Sequence, residues 1–379
     1  MKKKVCFVND DFSLGGIQKV NVYLGEELVL NKQDVYFYAS AINPKNFYKI
    51  EISKLYLAKY TIMNNLDNIL HKIQRKIIKN LNREFTLKKN DVVVKKLISF
   101  LKEKNIDTVV LNGPIFISYI PFIKEAIPTI KCIGWLHNSY KVYLGNDKNS
   151  YTRFFRKSFL KGLAVSDQNV CLTHEDLSAY QKFNKKTVCI YNPVTMKVKG
   201  KADLNKKNIS FLSRVAVQHK GLDYLAEISS MLPKEWTIKF GGNGNKKENE
   251  TFNNYIEKYN SKKNIDLLGA LDEFGVKKVF ENSSIYLMTS RWEGMPLVLA
   301  EAMSFGLPII AFDQTGSREV LGNGKYGIIV EQGNINEMNS QLKRLISSKE
   351  LREEFSKKSL IRINDFNIEL IARKWLEII

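Results

Sequence analysis

The chain has 379 residues, which suits two domains of ordinary size, and its 44% hydrophobic content with no long polar tract is enough for full cores. Its formal net charge of +20 is unevenly placed: residues 1–200 hold 33 Lys/Arg against 16 Asp/Glu, and residues 201–379 hold 26 against 23. The apolar run after Met1-Lys2-Lys3-Lys4 is too short for a secretory leader, and no run reaches the roughly 18 apolar residues of a membrane-spanning helix, so neither is expected.

In chain order, Lys3–Val8, Asp34–Ala39, Thr108–Leu111, Lys131–Trp135, Asn169–Leu172 and Thr187–Ile190 read as short apolar strands. Helical patterns lie between most of them, such as Gln18–Leu30 and Val92–Lys104. A turn signal at Asn192-Pro193-Val194 and a Lys-rich stretch to Lys206 predict a linker. The theme then repeats: Ile209–Leu212, Thr237–Phe240, Ile265–Leu268, Ser284–Met288, Pro308–Ala311 and Gly327–Val330 read as strands, and Asn367–Ile379 has helical periodicity. Apolar strands alternating with helices imply an α/β fold of two parallel sheets, each covered on both faces. Such sheets bind ligands beyond the carboxyl ends of their strands, so two of them facing each other would hold a site in the cleft between. Cys6, Cys132, Cys171 and Cys189 each lie in apolar, strand-like runs without metal-ligand spacing and read as free buried thiols, with a cross-strand disulfide as the alternative.

The most informative stretch is Ser290-Arg291-Trp292-Glu293-Gly294-Met295-Pro296-Leu297-Val298-Leu299-Ala300-Glu301-Ala302. Pro296 suits the first turn of a helix, and Leu297 to Met303 reads as that helix, buried. Its N-terminus, opened by Gly294, is a ready anion site. Glu293 stands at the mouth of that site, and Glu301 lies about 7–8 Å further along the helix axis. Two acceptors flanking a phosphate-binding helix end suit a ligand with hydroxyls at both ends and phosphates between, such as a nucleotide-sugar.

Three further motifs follow strands. Gly15-Gly16, before the helix at Gln18, permits close backbone approach to a phosphate or sugar, or is a simple strand-to-helix connection. Ser213-Arg214 and Lys220-Gly221 place two cations near one helix start, where they can neutralise a diphosphate. His219 beside them reads as incidental. His137, in Trp135-Leu136-His137-Asn138, ends the fourth strand. The run Thr173-His174-Glu175-Asp176 reads as a helix cap with acidic first-turn residues.

Glu293 and Glu301, with Gly294, Pro296-Leu297, Glu301-Ala302-Met303 and Gly306-Leu307-Pro308, resemble the E-x7-E signature of retaining glycosyltransferases of the two-domain GT-B architecture, most closely the family 4 group. That resemblance implies an N-terminal acceptor-side domain over residues 1–195, a nucleotide-sugar donor domain over 196–364, and a C-terminal helix, 365–379, crossing back to the first. It implies catalytic roles for Glu293, Arg214, Lys220 and His137. It implies donor contacts from Gly15, Gly16, Ser213, Gly242, Leu268, Gly294, Met295, Leu297, Val298 and Glu301. Glu301 would bind the ribose hydroxyls, Glu293 would sit near the sugar, and the Met295 and Leu297 amides would face the phosphates.

The sequence contains no D-x-D, the pattern that holds a divalent metal on the donor in the other major glycosyltransferase architecture. Metal-independent transfer without a cofactor is therefore expected, with Arg214, Lys220 and the helix end stabilising the leaving diphosphate. The expected donor is a nucleoside-diphosphate hexose, with uracil the commonest base in the family. The expected acceptor is a glycan or lipid-linked glycan of cell-surface polysaccharide synthesis. The basic cluster His71-Lys72-Ile73-Gln74-Arg75-Lys76-Ile77-Ile78-Lys79-Asn80 suits an amphipathic helix on an anionic membrane, hence a cytoplasmic, peripheral protein; a solvated basic face is the alternative. No nucleic-acid recognition motif accompanies the charge. Rival readings are a nucleotide-sugar epimerase of the same layout and a non-catalytic membrane-binding scaffold.

Overall fold

The computed structural model describes residues 2–41, 44–48, 50, 51, 54–58, 84–145, 150–196 and 200–379. The chain divides into two compact units, Met1–Thr195 with Ile368–Ile379, and Met196–Asn367.

The first unit is a seven-stranded, wholly parallel sheet in the order β3-β2-β1-β4-β5-β6-β7. Its strands are β1 (Lys4–Asn9), β2 (Asp34–Ala39), β3 (Leu55–Leu57), β4 (Thr108–Asn112), β5 (Lys131–Trp135), β6 (Gln168–Cys171) and β7 (Thr187–Cys189). The central strand β1 is an unbroken apolar run, Val5 to Val8, with no exposed surface, as a strand covered on both faces must be. The three-residue edge strand β3 carries too little pattern to stand out in sequence; it pairs with Phe37–Ala39.

The second unit is a six-stranded parallel sheet in the order β10-β9-β8-β11-β12-β13. Its strands are β8 (Asn208–Leu212), β9 (Thr237–Gly241), β10 (Ile265–Gly269), β11 (Ile285–Met288), β12 (Ile309–Phe312) and β13 (Ile328–Val330). In both units the strand order reverses once, between β1 and β4 and between β8 and β11. Those switch points are where the helices on either side diverge and leave room for a ligand.

The C-terminal helix Ile368–Leu376 belongs to the first unit, where it packs on the helix Gly16–Leu30. Its anchor is Trp375, which has no exposed surface and lies 4.5 Å from the Trp135 ring and 6.4 Å from the Phe7 ring. The four cysteines are free, and Cys6, Cys132 and Cys171 are buried. Burial pushes the Cys132 thiol up to about 12. Cys171 and Cys189 are register partners on β6 and β7 and remain thiols. Thr173 caps its helix as read, accepting from the Asp176 amide, with Glu175 and Asp176 in the first turn. Among the described residues no helix is long and apolar enough to cross a membrane.

Candidate active site

The switch point of the second unit gathers most of the sequence-nominated residues. After β8 the chain runs through Ser213 and Arg214 into the short helix Val217–Lys220, whose first amide is held by the Glu248 carboxylate at 2.8 Å. After β11 it runs through Thr289–Trp292 to Glu293. The two loops are laced together. The Thr289 hydroxyl donates to the carbonyls of Lys220 and Gly221 at 2.8 and 2.9 Å. The Arg291 guanidinium forks onto both carboxylate oxygens of Asp223, at 2.9 and 2.6 Å, and lies over the Tyr224 ring. Gly221 makes this approach possible: its φ is +61°, and a Cβ there would collide with the Thr289 carbonyl oxygen. Gly242 has the same role one loop away, where a Cβ would collide with the Ser213 carbonyl oxygen.

The lacing brings Lys220 Nζ to 2.5 Å from Glu293 Oε1. Both side chains are largely buried, at 16% and 12% exposure, so the pair is poorly screened by solvent. Burial pushes the Glu293 carboxyl up, but the charge of Lys220 and hydrogen bonds from Lys220 and Ser290 outweigh it and hold it below its ordinary value. The backbone of Glu293 is fixed as well. Its amide donates to Gln314 Oε1 at 3.1 Å, and the same oxygen accepts from the Gly316 amide at 2.8 Å.

Gly294, Met295 and Pro296 are buried, and Leu297 and Val298 are half-buried at the start of the helix Leu297–Ser304. Pro296 is the residue before the helix rather than its first turn. Its φ of −71° and ψ of 108° are extended, and no side chain caps the helix from that position. Glu301 is 9% exposed in the middle of that helix. Leu268 and Gly269 end β10, and the Gly269 carbonyl accepts from the Gly242 amide at 2.7 Å.

Arg214 is exposed and reaches the pair through a residue the sequence reading set aside. His219 is not incidental: Arg214 Nη2 lies 3.1 Å from its Nδ1, the Trp292 carbonyl lies 2.8 Å from its Nε2, and Glu293 Oε1 lies 3.7 Å away. The Trp292 ring stacks on the imidazole at 4.9 Å with 10° between planes. Nothing in the local pattern marks His219, because its carbonyl and stacking partner, Trp292, arrives from a loop 73 residues away in sequence.

In the first unit, the switch point holds the other nominated residues. Gly15 precedes the helix Gly16–Leu30, and its amide and carbonyl both bond the Tyr48 hydroxyl, at 3.2 and 3.0 Å. His137 Nε2 is 2.6 Å from Asn112 Oδ1. The Asn112 amide nitrogen donates to the Val8 carbonyl at 2.9 Å and to Asn21 Oδ1 at 2.8 Å, so its oxygen must accept and His137 must carry hydrogen on Nε2. Burial pushes His137 down to about 3, which makes it a neutral hydrogen-bonding group at physiological pH. Asn21 also donates to the Ile17 carbonyl at 2.7 Å, linking the helix after Gly15-Gly16 to His137 through Asn112. Asn21 and Asn112 are further residues the sequence reading passed over. The signal was a polar residue inside an apolar stretch, at Val20-Asn21-Val22 and Val110-Leu111-Asn112.

The arrangement in the second unit has the parts of an anion site. A helix start and the Lys220 cation stand beside a fixed carboxylate at the carboxyl end of a parallel sheet, with the Arg214 cation linked to them through His219. The glycosyl transferases group 1 family model matches residues 195–360, which span this site. An uncharacterized glycosyltransferase of Haemophilus influenzae is 31% identical over 99% of both chains. The Campylobacter jejuni enzyme named GalNAc-alpha-(1->4)-GalNAc-alpha-(1->3)-diNAcBac-PP-undecaprenol alpha-1,4-N-acetyl-D-galactosaminyltransferase is 23% identical over 99% of this chain and 98% of its own. Among solved structures, Anabaena HepE in complex with UDP superposes with a TM-score of 0.75 at 14% identity, covering 99% of this chain and 98% of that one. The chain belongs to the group 1 glycosyltransferases, and its two parallel-sheet domains have the GT-B architecture.

Proposed function

We propose that the protein transfers a hexose-type sugar from a nucleoside-diphosphate donor, with uracil as the base, to a glycan or lipid-linked glycan during cell-surface polysaccharide synthesis. The observation that carries this reading is the Lys220–Glu293 pair at 2.5 Å beside the helix starting at Leu297, at the switch point between β8 and β11. Breaking the anomeric bond puts negative charge on the departing diphosphate. An ammonium has three donors, and Glu293 occupies one. Lys220, Arg214 and the Met295 and Leu297 amides then stabilise the leaving group without a metal ion, which is electrostatic preorganisation in a poorly solvated site. Glu301 takes the ribose hydroxyls, Glu293 lies near the transferred sugar, and the anomeric configuration is retained. The C. jejuni relative's name supports the lipid-linked acceptor and the α-linkage, and the UDP complex of HepE supports the base.

The test is thermal unfolding with UDP, GDP, ADP or CMP, each with and without EDTA. At about 100 times its Kd, a ligand of the native state adds about 2.7 kcal/mol, and the melting temperature rises by several degrees. UDP is expected to give that shift and to keep it in EDTA. No shift with any nucleotide overturns the donor-site reading, and a shift abolished by EDTA overturns metal independence.

The reading includes a cytoplasmic site of action, peripheral on the membrane, with the excess positive charge of the first 200 residues as its support. The cluster nominated for docking, Lys72, Arg75, Lys76 and Lys79, lies outside the described residues. Replacing all four by Glu is expected to weaken binding to phosphatidylserine-containing vesicles by about three orders of magnitude, since each basic residue near such a surface contributes about 1 kcal/mol. Unchanged sedimentation with the vesicles removes the docking role.

A further inference from the structure

We propose that His219 is a positioning residue for the donor diphosphate: neutral, it holds the Arg214 guanidinium beside the Lys220–Glu293 pair, and protonated, it lets Arg214 go. The inference rests on the donor-site reading above and adds to it a residue and a pH dependence.

The protonation state follows from the partners. A carbonyl oxygen only accepts, so the 2.8 Å contact with the Trp292 carbonyl puts a hydrogen on Nε2 of His219. A guanidinium only donates, so the 3.1 Å contact with Arg214 Nη2 requires a bare lone pair on Nδ1. The imidazole is thus neutral, with both nitrogens engaged and its face covered by Trp292. Protonation can occur only at Nδ1. It replaces the acceptor of Arg214 with a second donor and sets two cations at hydrogen-bond distance.

The charged groups around the ring act in both directions. Arg214, from the loop after β8, and Lys220, on the same short helix, oppose protonation, while Glu293, 3.7 Å away in the loop after β11, favours it. Arg291, whose amide bonds the His219 carbonyl, has its guanidinium on Asp223. Burial, the largest influence, together with the two cations outweighs Glu293 and holds His219 below the ordinary histidine value. The release of Arg214 therefore falls on the acid side of neutrality: affinity for a diphosphate is full at pH 7–8 and declines as pH falls through the lowered value.

The test is calorimetric titration of UDP, GDP and ADP into the full chain and into its His219→Gln and His219→Ala variants between pH 5.5 and 8.5. Glutamine keeps a donor and an acceptor but does not titrate. At pH 8, His219→Gln is expected to bind the preferred nucleotide within about three-fold of wild type, and His219→Ala about ten-fold more weakly. Between pH 8 and 5.5 the wild-type Kd is expected to rise about two- to three-fold more than that of His219→Gln, because a histidine held below its ordinary value is only partly protonated at pH 5.5. The nucleotide's own phosphate titration is common to both proteins and cancels in this comparison. Wild type that binds none of the three nucleotides overturns the donor-site reading and this inference with it. Nucleotide binding with parallel pH profiles for wild type and His219→Gln, or undiminished binding by His219→Ala, overturns the inference alone. Melting curves of both variants separate lost folding from lost positioning.

Discussion

Glu293→Ala is expected to lower sugar transfer by about 10²–10³-fold, the scale for removing one preorganised electrostatic group from an active site. Glu293 and Lys220 are 2.5 Å apart and mostly shielded from water. Removing one member of such a pair leaves the other charge under-solvated and free to reorient. Lys220→Ala should be as damaging in transfer, for the complementary reason. Without its cation the Glu293 carboxyl keeps the upward push of burial and loses the main influence holding it down, so its pKa rises. Glu293→Gln separates charge from shape: it should keep the melting temperature closer to wild type than Glu293→Ala does, while transfer stays low. The measurement is turnover with the donor identified by thermal shift, alongside the melting temperature of each variant. Glu293→Ala or Lys220→Ala retaining full turnover would remove the pair from the mechanism.

Trp375→Ala is expected to be the most destabilising single truncation in the C-terminal helix, by about 3–5 kcal/mol. The side chain has no exposed surface and touches both Phe7, on the central strand, and Trp135, at the end of β5. For a domain of this size each kcal/mol moves the midpoint by about 2–4 °C, so a fall on the order of 10 °C is expected. The consequence reaches His137, whose ring lies 4.5 Å from Trp135. Trp375→Phe should recover most of the loss by refilling the space. A melting curve of Trp375→Ala that overlays wild type would mean that the helix adds little to the first unit.

Most strands were legible because buried parallel strands are apolar on both faces, and punctuation between them is strong. Asp34–Ala39 and Lys131–Trp135 coincide with β2 and β5, and the others differ by a residue at one or both ends, where fraying and pairing decide the boundary. Pro296 shows the limit at the scale of one residue. A fixed φ near −65° fits both the first helical position and the one before it, and only ψ tells them apart. The Glu293 and Glu301 spacing around the helix start and the Arg214, Lys220 pair could be read because each is a local constellation of residue types.

What could not be read is what depends on chains meeting. His219 looks like one more polar residue between Gln218 and Lys220, and Asn21 like a misplaced amide in an apolar helix. Their meaning comes from Trp292 and Glu293 in one case and Asn112 and His137 in the other, all brought in from distant strands.

The sequence by itself determined the alternation of strand and helix, the doubling of that pattern, the excess positive charge of the first half and the residue types available for an anion site. These are properties of periodicity and composition, carried by neighbours a few residues apart. Only the tertiary structure decided the strand orders that create the switch points, the hydrogen on Nε2 of both His137 and His219, and the pairing of Lys220 with Glu293. Those depend on burial and on the close approach permitted by Gly221, and neither exists until the sheet has formed.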